Sequence, residues 1–250
     1  MSELKVEERL VVAADFSPKD YGGRKGVADR VFRLAKELEG LGVYIKVNSI
    51  LRDIGYDLIH ILHNHGLKVM ADLKLIDIDR TMATDGQLLE EAKPEIVTVM
   101  CCAGIAGMVA VKRELTTTEV VGVTVLTTFD DPDCDAIFTC SVEAGVLRLA
   151  RLAQLAQIDG LVMAPKEVAI ISSRVEITLD QNTPNVRPNW SQVQGDTQNV
   201  KRQMTPKEAI DIGARRIIMG GPIVGAKPNN EGKPQSPREA VGRVLEEMSA

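Results

Sequence analysis

The chain has 250 residues, 44% hydrophobic and 26% charged, with a formal net charge of −5. That composition suits a globular chain with a large core, and it excludes a general nucleic-acid binder, which needs a basic excess. No apolar run approaches the roughly 18 residues of a membrane span, and the charged start, residues 1–8, lacks the apolar stretch of a signal peptide.

The first predicted strand covers residues 9–14 and leads to a helix over 24–40, where Val27, Val31, Leu34, Ala35 and Leu38 fall at helical spacing. A strand over 43–47, a helix over 49–65 and a strand over 67–73 follow. Next come a helix over 80–92, a strand over 96–100, a helix over 103–114 and a strand over 119–126. An irregular stretch, 129–139, precedes a helix over 142–157 and a strand over 160–164. A short helix over 166–171 leads to a seventh strand over 175–179. A second irregular stretch, 182–204, comes before a helix over 205–212, a strand over 216–219 and a last helix over 236–248.

Strands of Val and Ile, apolar on both sides and alternating with amphipathic helices, imply a parallel sheet covered by helices. Eight such units in this length predict an α/β fold, a (β/α)8 TIM barrel forming one domain over residues 1–250. No Pro, Gly or Ser linker divides the chain, so the two irregular stretches read as loops at the catalytic face. Aromatic residues make up only 3%, so the core must be aliphatic. Met70, Met100, Met163 and Met219, in or beside strands, read as core filler. The four cysteines form no CxxC pair, which points to a reducing cytoplasm. His60, His63 and His65 crowd the end of a helix, with no carboxylate or thiol spacing to complete a metal site, and read as structural. The acidic run 130–135 reads as an exposed loop tip.

A barrel of this kind carries its chemistry at the C-terminal ends of its strands. Strand one ends in Asp15, and strand two carries Lys46. Strand three runs Ala71-Asp72-Leu73-Lys74-Leu75-Ile76-Asp77. Asp72 and Lys74, two apart, point to one face, and Asp77 lies just beyond the strand. Burying charges is costly, and even a pair usually only breaks even against apolar side chains. Two acids and two bases in one mouth therefore point to chemistry rather than stability, with Lys74 suited to act as an ammonium acid between carboxylates.

The stretch Asp72-x-Lys74-x-x-Asp77-Ile78-x-x-Thr81 resembles the signature of the orotidine 5′-monophosphate decarboxylase family. The likeness runs in order along nearly the whole chain: Val12-Ala-Ala-Asp15, Ile45-Lys46-Val47, Val123-Thr-Val-Leu-Thr127, Thr183-Pro-x-Val-Arg187-Pro and Met204-Thr-Pro-x-Glu-Ala. The resemblance implies a cytoplasmic, homodimeric barrel that turns orotidine 5′-monophosphate into UMP and carbon dioxide, with no cofactor and no metal. It implies Lys46, Asp72, Lys74 and Asp77 as the catalytic array, with Lys74 protonating C6. Asp15 and Lys46 would hold the ribose, Thr127 the base, Arg187, Gly220 and Gly221 the phosphate, and Gln198 would be a further substrate-binding residue. Asp77, Ile78 and Thr81 would reach the site from the neighbouring subunit. The implied partners are a nucleotide substrate and a second copy of the chain, with no nucleic acid and no membrane.

The sequence also departs from the family pattern. Gly220-Gly221-Pro222-Ile223 stands where the family has Gly-Arg-Pro-Ile, so the arginine that forks onto the phosphate is missing. Asp79-Arg80 replaces Pro-Asn, Cys101-Cys102 replaces His-Ala, and Gln198 aligns with the family glutamine only through insertions. Two other readings share these residues. One is a magnesium-dependent 3-keto-gulonate 6-phosphate decarboxylase or hexulose 6-phosphate synthase. The other is a non-catalytic phosphosugar-binding paralogue.

Overall fold

The computed structural model describes residues 4–191, 203–226 and 234–250. Eight parallel strands close into a barrel in sequence order: β1 (Leu10–Ala13), β2 (Tyr44–Val47), β3 (Lys68–Leu75), β4 (Ile96–Met100), β5 (Glu119–Val123), β6 (Gly160–Val162), β7 (Asp180–Thr183) and β8 (Arg216–Met219). The barrel closes through β1 and β8, with Val11 opposite Ile218. Along each strand the side chains alternate, which splits the core into two layers. Val11, Ala13, Tyr44, Met70, Ile96, Val121 and Ile218 pack inside the barrel. Leu10, Val12, Ile45, Val69, Val97 and Leu161 face outward against the helices.

The outer ring comprises α1 (Arg24–Leu38), α2 (Ser49–Ile54), α3 (Asp57–Asn64), α4 (Asp79–Ala92), α5 (Gly104–Glu114), α6 (Asp131–Phe138), α7 (Val142–Leu155), α8 (Pro165–Ser172), α9 (Pro206–Asp211), α10 (Gly221–Val224) and α11 (Pro237–Ser249). Val27, Val31, Leu34, Ala35 and Leu38 of α1 are all buried, as their spacing implies. Met70, Met163 and Met219 are core residues. Among the described residues, no helix is long and apolar enough to cross a membrane.

Three expectations need correction. The helix expected over 49–65 is two helices, broken at Gly55, whose φ of 97° ends α2. The acidic run is the start of α6 rather than a loop tip. Asp130 accepts from Asp133 N at 3.0 Å and Asp133 answers at 3.3 Å, a reciprocal cap on the orphan N–H groups of the first turn.

The seventh strand lies at Asp180–Thr183, beyond the expected 175–179. Val175 is 95% exposed, while Ile177 and Leu179 anchor the approach to the barrel. The strand itself is polar and buried, and its side chains bond to neighbouring segments. Asn182 Nδ2 donates to Leu161 O at 3.1 Å, and Thr183 Oγ1 donates to Met163 O at 2.8 Å. Hydropathy alternation cannot mark a strand whose buried side chains are hydrogen-bonded rather than apolar.

Arg216, at the start of β8, fills the bottom of the barrel. Its guanidinium is fully buried, forks onto Glu119 at 2.8 and 2.7 Å, and stacks 5.2 Å from the Tyr44 ring centre. Arg215 pairs with Asp180 at 2.7 Å. Both arginines thus sit at the N-terminal end, away from the strand ends that carry the candidate chemistry. His63 and His65 meet Glu95 and Glu39 at 3.2 and 3.5 Å, as side chains bracing the end of α3.

Candidate active site

A cavity of about 400 Å³ opens at the C-terminal ends of the strands. Its walls carry Asp15, Lys46, Asp72, Lys74, Thr127, Arg187, Gly220 and Gly221, so these separate sequence signals converge on one space. Apolar side chains, among them Val123, Val125 and Val162, line it as well. The cavity thus combines an apolar surface with a dense set of charged and polar groups, a lining suited to a small polar ligand.

The charges form an alternating chain. Lys46 Nζ donates to Asp15 Oδ1 and Oδ2 at 3.0 and 2.8 Å, and to Asp72 Oδ2 at 2.9 Å. Lys74 Nζ reaches both Asp72 oxygens at 2.7 Å. Exposure rises along the chain's outer members: the side chains of Lys46 and Asp72 are 8% and 7% exposed, and that of Lys74 is 36%. Burial alone would raise the Asp72 pKa, but the cations of Lys46 and Lys74 and their hydrogen bonds hold it at about 2. Burial likewise works against the Lys46 charge, yet Asp72 and Asp15 outweigh it and raise the Lys46 pKa. Asp72 is therefore a fixed anion at neutral pH, clamped between two ammonium groups.

The backbone of β3 departs from regular pairing to make this arrangement. Ala71 pairs with Val97 and Leu75 with Val99, so four steps along β3 match two along β4. This bulge places Lys74 at φ 49°, the left-handed region that side-chain-bearing residues rarely occupy. Thr98, buried on β4 and lining the cavity, closes the gap. Its Oγ1 accepts from Lys74 N at 2.8 Å and donates to Asp72 Oδ1 at 2.9 Å. Sequence reasoning missed Thr98. The available signal was one hydroxyl within the otherwise apolar run Ile96-Val-Thr-Val-Met100.

Asp77, Ile78 and Thr81 do not line this chain's own cavity. Asp77 and Thr81 are exposed, and Ile78 is 68% exposed at the start of α4. Asp77 Oδ1 accepts from Ile78 N at 2.7 Å, which shapes the turn into the helix. On the other wall, Arg187 N donates to Met204 O at 2.9 Å and fastens the seventh loop. Arg187 Nη2 lies 4.0 Å from where a Cβ on Gly221 would stand. Gln198 lies outside the described residues. Among the described residues, no group of three or more His, Cys, Asp or Glu is placed to hold a metal ion.

The profile of the orotidine 5′-phosphate decarboxylase / HUMPS family matches residues 8–233. The chain belongs to that family. Two relatives in the orotidine 5′-phosphate decarboxylase / HUMPS family carry the name orotidine 5′-phosphate decarboxylase. The protein of Streptococcus sanguinis is 32% identical over 226 residues, covering 88% of this chain and 93% of its own length. That of Rhodopseudomonas palustris is 31% identical over 249 residues, covering 99% and 97%. The fold also matches the crystal structure of orotidine 5′-phosphate decarboxylase from Lactobacillus acidophilus, with a TM-score of 0.76 at 23% identity, over 97% of this chain and all of that one.

Proposed function

We propose that this family member decarboxylates orotidine 5′-monophosphate to UMP and carbon dioxide, as a step of de novo pyrimidine biosynthesis in the cytoplasm, with Lys74 as the proton donor and no cofactor. The observation that carries the reading is the Asp15–Lys46–Asp72–Lys74 chain at the mouth of the barrel. Loss of carbon dioxide leaves an electron pair at C6 with little delocalisation, so the site must offer a cation and a proton at one point. Lys74 supplies both, stabilising the developing carbanion and then protonating it. Asp72, ionised and immobile, lies beside the departing carboxylate and disfavours it relative to the neutral product.

Lys46 holds Asp72 in place and, with Asp15, contacts the ribose, while Thr127 meets the base. Arg187 and the backbone at Gly220 and Gly221 receive the phosphate, and Gln198 is assigned to substrate binding by its sequence alone. Phosphate binding far from the breaking bond contributes to catalysis through remote binding energy. Asp77, Ile78 and Thr81 complete the site of the second subunit of a homodimer. The exposure of Ile76 and Ile78, at 56% and 68%, supports that role, because covering both removes apolar surface from water. Both cavity carboxylates already pair with lysine, so a magnesium ion would have to compete with the Lys46 and Lys74 ammonium groups for them. This favours the cofactor-free reaction over a magnesium-dependent enolate route.

The test is the loss of orotidine 5′-monophosphate absorbance with EDTA present. Turnover that survives chelation and is abolished in Lys74→Ala is the expected result. Turnover lost with EDTA would favour the magnesium-dependent reading. Ligand binding without turnover in the wild type would favour the silent paralogue, and an active Lys74→Ala would remove Lys74 as the acid.

A further inference from the structure

We propose that Thr98 is a positioning residue that ties the backbone of the proton donor to the carboxylate it serves. The proposal rests on the decarboxylase reading above and names the device that holds Lys74 in register with Asp72.

The bulge in β3 turns the Lys74 N–H out of the regular ladder and leaves a donor that needs an acceptor. Thr98 Oγ1 provides it at 2.8 Å. Having accepted from that N–H, the hydroxyl directs its single proton to Asp72 Oδ1, 2.9 Å away. Lys74 Nζ then returns to the same carboxylate at 2.7 Å. The three residues form a closed hydrogen-bonded ring running from the Lys74 backbone through Thr98 and Asp72 to the Lys74 side chain. A ring of this kind fixes more than either bond alone. It pins the φ 49° backbone of Lys74, and it orients the Asp72 carboxylate so that both oxygens face the ammonium groups.

Thr98 is suited to the part on three counts. It is 1% exposed, so water does not compete for its hydroxyl. Its branched Cβ restricts χ1 and holds the oxygen in one direction. It sits on β4, a rigid barrel strand, rather than on a loop. Thr98 is not assigned any bond to substrate. Its effect passes through Lys74 and Asp72, so it acts chiefly on the chemical step and leaves the phosphate contacts alone.

The test compares Thr98→Val, which keeps the branched shape without the hydroxyl, with Thr98→Ser, which keeps the hydroxyl. With orotidine 5′-monophosphate, Thr98→Val is expected to lower kcat by about 10- to 100-fold, the effect of misplacing a group in the catalytic array, with KM within about threefold of wild type. Thr98→Ser should recover most of kcat. Equal losses in Val and Ser, or a KM rise that accounts for the whole defect, would overturn the proposal in favour of a packing role. An arm independent of turnover is the crystal structure of Thr98→Val. There Lys74 Nζ should leave hydrogen-bonding distance of Asp72 or its backbone should leave the left-handed region, and a Lys74 that keeps both its φ and its bond to Asp72 would overturn the proposal. A wild-type enzyme with no activity on this substrate would instead sink the decarboxylase reading, which separates the two failures.

Discussion

Gly221 stands where the family resemblance implies an arginine, and Gly221→Arg supplies that guanidinium. The backbone accepts a side chain there, because Gly221 lies outside the left-handed region and, among the described residues, a Cβ would meet only Arg187 Nη2, at 4.0 Å. A new charged hydrogen bond to the substrate phosphate contributes about 1.5–3 kcal/mol. Against it stands repulsion from Arg187, roughly 0.7 kcal/mol for two charges about 6 Å apart at the dielectric of water. The balance, about 1–2 kcal/mol, corresponds to roughly a 5- to 30-fold fall in KM. Steady-state kinetics on orotidine 5′-monophosphate at low ionic strength reads it directly, with kcat changing less than KM. Arg187→Ala should raise KM in the wild type and raise it less in the Gly221→Arg background, because the two cations share one anion. An unchanged or higher KM for Gly221→Arg would refute the placement of the phosphate between Arg187 and Gly221.

Two further outcomes follow from packing and charge. The Asp72 carboxyl falls from its usual 3.8 to about 2 on folding, so its contribution is fully present above about pH 4 and is lost as pH drops through about 2. The stability difference between wild type and Asp72→Asn, from denaturant titrations, should shrink by roughly 2 kcal/mol between pH 4 and pH 2, and parallel curves would contradict the pairing. At Gly160, an added Cβ would stand 2.7 Å from Asp180 O, a backbone atom that cannot swing away. Gly160→Ala should therefore cost about 1–3 kcal/mol and lower Tm by about 2–4 °C for each, measured by calorimetry. A wild-type Tm would show that β6 and β7 do not approach so closely.

The sequence by itself determined the alternation of eight strands with helices, because burial on two periodicities is written locally in Val, Ile and Leu. It also marked Asp15, Lys46, Asp72 and Lys74, since charges at the ends of apolar strands have no cheap structural reason to be there. Tertiary structure alone decided the rest. Strand β7 lies past the apolar run 175–179, because Asn182 and Thr183 are buried through bonds to β6 and the segment after it rather than through hydrophobicity. Thr98 joins Lys74 to Asp72 only because the register between β3 and β4 slips by a bulge. Arg187 comes to lie against Gly221 only because the barrel brings its seventh and eighth loops together. Hydropathy reports which side chains leave water, whereas partner choice depends on strand register and closure, which are set by contacts distant in the chain.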